Sequence, residues 1–221
     1  MIMGKTAIIF GATGLVGNLL LEELIKTGSY SSVKIFVRRA TGTSEAGVEE
    51  IVTDFPDLES HTAKIKGDDL FICLGTTIKK AGSVANMEKI DRDLPLKIAE
   101  LAFRNGVKKI AVVSSIGASA GSKNYYLRIK GEMEEGILKH NFETAVIVRP
   151  SMLLGERKEK RAAEIAGKVM MNTFKPVLSG KLLKYRAIHG RDVARAMIFL
   201  ISKETGRRIV ESDELQRIAG K

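Results

Sequence analysis

Cysteine is nearly absent: Cys73 is the only one in 221 residues. No intrachain disulfide can form, and no cysteine-based zinc cluster can be assembled. Histidine is almost as scarce. His61, His140 and His189 are scattered without carboxylate or cysteine spacing, so no metal centre is expected. No apolar run reaches the roughly 18 residues of a membrane-spanning helix, so no membrane partner is expected. With only four prolines, 44% hydrophobic and 28% charged residues, the composition excludes general disorder and suits a chain that buries a full core. No charged segment leading into a long apolar stretch is found. Together with the lone cysteine, that reads as a cytoplasmic location.

What is present is a regular alternation. Short apolar runs, TAIIF (Thr6 to Phe10), VKIFV (Val33 to Val37), a weaker one near Glu50 to Asp54, DLFICL (Asp69 to Leu74), KIAVVS (Lys109 to Ser114) and TAVIV (Thr144 to Val148), are separated by helical patterns. Near-continuous apolar strands are buried on both faces, so a doubly wound, Rossmann-type α/β fold with a parallel sheet is expected. Helices are predicted after Gly14, ending at Gly28, over Val84 to Arg104, over Asn124 to Lys139, and over Asp192 to Ile201. Residues 1–221 read as one domain. Residues 151–221, where Pro150 breaks the pattern, are taken as a small substrate-side cap.

Three motifs carry chemistry. Gly11-Ala-Thr-Gly14-Leu-Val-Gly17 joins the first strand to its helix. Glycines there permit a tight turn and let backbone amides approach a pyrophosphate at the helix N-terminus. Gly11, Thr13, Gly14, Leu15, Val16 and Gly17 are therefore candidate dinucleotide contacts. Arg38 and Arg39 follow the second strand, Arg38 lying 21 positions after Gly17. An acidic residue there would hold a ribose 2′-hydroxyl, whereas a guanidinium can grip a 2′-phosphate, so the cofactor expected is NADP(H). Tyr126-Leu-Arg-Ile-Lys130 places phenol and ammonium on one helix face, which Tyr125 cannot share. An ammonium nearby makes a phenol a usable proton donor. Ser114 and Ser115, at the end of the fifth strand, can polarise a carbonyl beside it. Neighbours on a strand face opposite ways, so only one serves, and Ser115 is favoured.

In that order, Gly11-x-x-Gly14-x-x-Gly17, Ser115 and Tyr126-x-x-x-Lys130 resemble an atypical short-chain dehydrogenase/reductase. The segments FICLGTT, KIDRDLPLKIAELA, VVSSIGA, YLRIKGEMEE and RPSMLLGER are similar to the NAD(P)-binding Rossmann family around the Tat-interacting oxidoreductase-like protein and its bacterial relatives. The resemblance implies bound NADPH and catalytic roles for Ser115, Tyr126 and Lys130, with Lys130 also on the nicotinamide ribose. It implies further that Leu74, Gly75, Thr76 and Ser114 line the cofactor, with Arg149 and Pro150 beside the nicotinamide. Many extended relatives have Asn near where this chain has Asp91, so a proton relay through that position would differ here.

The leading expectation is an NADP(H)-dependent oxidoreductase acting on a small carbonyl or alcohol. A second is an NADPH-binding sensor that reports to a protein partner. The third comes from charge. The net charge is +10, and nine Lys or Arg oppose two Glu between Arg157 and Arg186. Aromatic surface there is limited to Phe174 and Tyr185, little for stacking bases, so nucleic acid is disfavoured and a solvated basic face preferred. A monomer and a homodimer both remain compatible. Cys73 is read as an inert thiol, and Met170-Met171 as packing.

Overall fold

The first strand shows why the chain builds a sheet covered twice. In β1 (Thr6–Phe10), Ala7 and Ile9 enter one apolar layer while Ile8 and Phe10 enter the other, and all four are buried. Side chains alternate along a strand, so a run without polar positions needs cover on both faces. A computed structural model, which describes residues 4–155 and 180–220, shows that cover. α1 (Leu15–Thr27), α6 (Gly190–Lys203) and α7 (Ser212–Ala219) supply Leu20, Leu24, Val193, Met197, Leu200 and Leu215 on one face. α4 (Leu94–Arg104) and α5 (Tyr125–Lys139) supply Ile98, Ala102, Met133 and Ile137 on the other.

The remaining strands of the sheet are β2 (Ser32–Val37), β3 (Val48–Val52), β4 (Asp69–Ile72), β5 (Lys109–Val113), β6 (Thr144–Arg149) and β9 (Gly206–Glu211). Their order is β3-β2-β1-β4-β5-β6-β9, and every neighbouring pair is parallel. This is the Rossmann-type architecture expected from the alternation. β7 (Leu153–Leu154) and β8 (Ile188–His189) form a separate two-residue ladder. Phe10 and Phe36 stack at 4.4 Å across β1 and β2, tightening the layer beside the site.

Four expectations are corrected. β3 begins two residues earlier than predicted, because Gly47, at φ +79, ends the preceding turn and its carbonyl accepts from Val33 N–H. Beyond the short α2 (Ile78–Ala81), the predicted helix over Val84 to Arg104 is divided into α3 (Val84–Glu88), a π turn (Lys89–Asp93) and α4. β4 and β5 stop short of Leu74 and Ser114, which belong to the turns beyond them. Finally, residues 190–220 are not a cap: they cross the sheet and add its seventh strand. Glu23 on α1 is the polar tie that seats this return. It is 4% exposed and lies 2.5 Å from Arg191 and 3.0 Å from Arg195 on α6. Burial alone would raise its carboxyl, but the Arg195 and Arg191 hydrogen bonds outweigh it and hold the group below the ordinary glutamate value. Most of the basic stretch, from Arg157 to Lys175 with Met170 and Met171, lies outside the described residues.

Candidate active site

The strand order reverses at β1 and β4, and parallel sheets bind ligands outside the carboxyl ends at such a point. The three glycines of the first turn meet different demands there. Gly11 sits at φ +90, and a Cβ on it would stand 2.6 Å from the Cys73 carbonyl oxygen. A Cβ on Gly17 would stand 2.1 Å from the Gly11 carbonyl oxygen, so only glycine lets α1 lie this close to β1. Gly14 is the exception. Its φ of −82 suits any residue, and its Cβ would meet the Gly11 oxygen at 3.3 Å and the Cys73 oxygen at 3.8 Å. The fold requires Gly11 and Gly17, and leaves the bare backbone of Gly14 exposed at the helix start.

That helix start fits an anion. α1 has no side-chain cap and no acidic residue in its first turn. Its first amides have no partner within the helix and lie at the positive end of the dipole. Thr13 and Gly14 are exposed, Leu15 is half-buried, and Val16 and Gly17 are buried. Arg38 and Arg39 stand exposed just beyond β2, without a hydrogen bond or ion pair among the described residues. Residues of this kind fit a dinucleotide: a glycine cradle, free amides, and two cations one strand away.

After β4 the chain turns through Cys73, Leu74, Gly75 and Thr76. Cys73 N–H donates to the Phe10 carbonyl at 2.8 Å, holding the turn against β1. Cys73 is half-buried, yet the apolar strand ends around it push its thiol up to about 12, away from thiolate chemistry. Leu74 packs on the core beneath α4, and Gly75 is exposed. The Thr76 N–H donates to Asp91 Oδ2 at 3.0 Å. Asp91 lies in the π turn and is wholly buried, and Lys130 Nζ stands 2.9 Å from its Oδ1. Lys130 is itself 1% exposed. The resemblance assigns Lys130 to a nicotinamide ribose; the structure shows its ammonium on a carboxylate.

α5 presents the rest. Asn124 caps it by accepting from Leu127 N–H at 3.1 Å. The Tyr125 hydroxyl donates to Glu88 at 3.0 Å, and burial together with that carboxylate pushes its phenol up. Tyr126 is half-buried and its hydroxyl has no hydrogen-bond partner among the described residues. One turn past Lys130, the buried Glu134 accepts from the Ser114 hydroxyl and, at both oxygens, from the Arg149 guanidinium. The Ser114 hydroxyl and the Nε and Nη2 of Arg149 are thus engaged by Glu134. The Glu134 hydrogen bond raises the Arg149 guanidinium further, fixing its charge. Pro150 is buried, and its carbonyl accepts from Ile116 N–H at 3.1 Å. Ser115 is the half-buried serine of the pair, and among the described residues its hydroxyl makes only a long 3.4 Å contact with the Ile116 carbonyl.

A glycine outside the three motifs lets the segment after Ser115 lie on α5. A Cβ on Gly131 would stand 2.1 Å from Ala120 N, so residues 119–120 lie directly on the helix. The Ser119 N–H then donates to the Leu127 carbonyl at 3.1 Å. Glu134 is likewise absent from those motifs, though the sequence carries its signal: Tyr126, Lys130 and Glu134 stand at four-residue intervals on one helix face.

Residues 11–204 match the protein family described as NAD(P)H-binding. "Protein FMP52, mitochondrial" of Eremothecium gossypii is 36% identical over 214 residues, 95% of each chain. "Protein HTATIP2" of Rattus norvegicus is 37% identical over 164 residues, covering 72% of this chain and 67% of that one. Among solved structures, a putative NAD-dependent epimerase/dehydratase from Bacillus halodurans superposes with a TM-score of 0.69 at 20% identity, over 98% of this chain and 99% of that one. That likeness speaks for the fold. The cytoplasmic expectation is overturned: relatives from several fungi are named mitochondrial. A single cysteine and the lack of a long apolar run describe any reducing aqueous compartment, and do not single out the cytoplasm.

Proposed function

The chain belongs to the NAD(P)H-binding family, and from that premise we propose that it is an NADP(H)-dependent oxidoreductase of the short-chain type, acting on a small carbonyl or the matching alcohol. The observation that carries this reading is the state of two hydroxyls. Ser114 and Tyr125 are engaged by Glu134 and Glu88, whereas their neighbours Ser115 and Tyr126 keep their hydroxyls available. Gly131 lets residues 119–120, four and five positions after Ser115, lie on the helix that carries Tyr126.

When bound, the reduced nicotinamide supplies a hydride to the carbonyl carbon and is oxidised. Ser115 donates a hydrogen bond to the carbonyl oxygen, polarising it. Tyr126 delivers the proton that turns the new alkoxide into an alcohol, and takes it back in the oxidative direction. Lys130, buried below them, contributes positive charge held in place by Asp91. The Gly14 amide region accommodates the pyrophosphate, and Leu74, Gly75, Thr76 and Pro150 line the cofactor by backbone and apolar contact. Arg38 and Arg39 take the 2′-phosphate, which favours NADP(H) over NAD(H).

Tyr126→Phe tests the assignment. Loss of this proton donor should lower turnover across a carbonyl panel by about 100-fold or more, with NADPH binding retained. Full activity of that variant on a validated substrate would refute the role.

The Lys130–Asp91 contact favours a second reading. A carboxylate 2.9 Å from the ammonium cancels part of its field at Tyr126. In that case the protein keeps the cofactor and reports its occupancy to a protein partner. Absence of NADPH oxidation over the whole panel, with a partner that binds one cofactor state only, would select it.

A further inference from the structure

A buried carboxylate answers two groups at once, and its bond to the turn after β4 has no part in the proposed chemistry. Asp91 is wholly buried, and so is Lys130 to within 1%. Its Oδ2 accepts from the Thr76 amide at 3.0 Å, while its Oδ1 faces Lys130 Nζ at 2.9 Å. The ammonium approaches without hydrogen-bond alignment, so Oδ1 has no formal hydrogen-bond partner among the described residues. The pair lies directly under the turn after β4. A Cβ built on Gly75 would stand 3.5 Å from Asp91 Oδ1 and 3.9 Å from Lys130 Nζ.

The backbone supplies a reason for this placement. The long helix expected over Val84 to Arg104 widens into a π turn at Lys89–Asp93, and Asp91 sits in its middle. One extra residue in a turn rotates the downstream helix relative to the upstream one, and such turns are frequent at functional sites. The flanking side chains of the turn are tied down separately. Arg92 bridges Glu88, Asp93 and Glu132 on the outer side, leaving Asp91 as the residue that enters the interior.

We infer that Asp91 is a positioning residue of the active site: it ties the turn carrying Gly75 and Thr76 to the ammonium of Lys130, so that cofactor turn and active-site cation are held as one unit. The inference rests on the NADP(H) reading for its consequence, and on the geometry alone for its mechanism. Asp91 acts through its two partners and touches neither cofactor nor substrate. Removing the carboxylate frees the Thr76 amide and leaves Lys130 as a buried charge with no counter-charge at contact distance, which is unfavourable. Asparagine keeps an acceptor for the amide and loses only the charge. The two substitutions therefore separate the two ties.

The experiment uses the full chain as Asp91→Asn, Asp91→Ala, Lys130→Met and Asp91→Asn/Lys130→Met. The first readout needs no cofactor: hydrogen exchange at the Thr76 amide. Exchange should speed by about tenfold or more in Asp91→Ala and stay near wild type in Asp91→Asn. Unchanged exchange in Asp91→Ala overturns the tie to the turn. The second readout is calorimetric affinity for NADPH. Asp91→Asn should weaken binding about fivefold or more in the natural background, but less than about twofold when Lys130 is already Met. Melting temperature should fall in each single variant and recover in the double one, while affinity does not recover. A merely structural pair would restore both. Unchanged affinity in Asp91→Asn, or an effect that persists undiminished with Lys130→Met, overturns the tie to Lys130. Wild-type protein that binds neither NADPH nor NADH refutes the cofactor reading and with it that consequence, while Thr76 exchange still decides the hold on the turn.

Discussion

Replacing Gly17 by alanine is the sharpest perturbation of the dinucleotide turn. The new methyl would stand 2.1 Å from the Gly11 carbonyl oxygen, where ordinary contact begins at 3.4 Å, so α1 must retreat from β1 by more than an ångström. The obstacle is backbone on both sides, so no side chain can give way. Overpacking of this kind costs about 1–3 kcal/mol. Alanine's better helix propensity returns up to about 1 kcal/mol. With a mid-range cost of about 2 kcal/mol and a return of at most about 1 kcal/mol, the net loss of about 1–2 kcal/mol corresponds to a fall in Tm of roughly 2–8 °C for a chain of this size. Because the retreat pulls the α1 amides out of register with the turn, NADPH affinity should drop at least about tenfold, or about 1.4 kcal/mol. Gly14→Ala is the matched comparison. Its Cβ finds 3.3 Å and an ordinary φ, so stability should change by less than about 1 kcal/mol. Cofactor affinity should still fall, since the methyl enters the space proposed for the pyrophosphate. Scanning calorimetry and titration with NADPH measure both effects. A Gly17→Ala protein as stable as wild type, or a Gly14→Ala protein that binds NADPH as tightly, would refute the division between fold glycine and ligand glycine.

Two further outcomes arise from buried polar ties. Ser114→Ala removes a donor from the buried Glu134, which keeps Arg149, and should cost about 1–2 kcal/mol with kcat little changed; Ser115→Ala should do the reverse, and chemical denaturation beside steady-state kinetics separates them. Glu23 is held below its ordinary value in the folded chain, so it binds protons more weakly there than when unfolded. Its stabilisation is complete above the unfolded glutamate value of about 4.3 and disappears as pH falls through the lower folded value. Glu23→Gln should therefore lose about 1–3 kcal/mol at pH 7 and show a flatter acid limb in denaturation from about pH 5 downward. An unaltered acid limb would mean that the Arg191 and Arg195 contacts contribute nothing.

Local chemistry made much of this legible in the sequence. TAIIF with three glycines at three-residue spacing after it can be read without a distant partner, because the pattern itself marks a strand, a tight turn and a helix start. The Tyr126–Lys130 spacing is equally local. The seventh strand was hidden because GRRIVE is an edge strand: only Val210 is buried in it, so it shows no apolar run and no clean alternation. The π turn was hidden as well, since one inserted residue leaves the helical pattern of KIDRDLPLKIAELA almost unchanged over its length. What the sequence could not reveal is where polar groups pair at long range. Ser114 with Glu134, Arg149 with Glu134, and Lys130 with Asp91 are brought together by the fold from positions 15 to 39 residues apart, and no local spacing announces them.

The measurement that bears most directly on the proposed function is a calorimetric titration of cofactor-stripped protein with NADPH and with NADH, run beside Arg38→Ala. NADPH should bind at least about tenfold more tightly than NADH, and Arg38→Ala should erase most of that difference while leaving NADH within about twofold. Equal affinity for the two cofactors, unaltered by Arg38→Ala, would contradict the NADP(H) assignment, and failure to bind either would contradict the oxidoreductase reading itself.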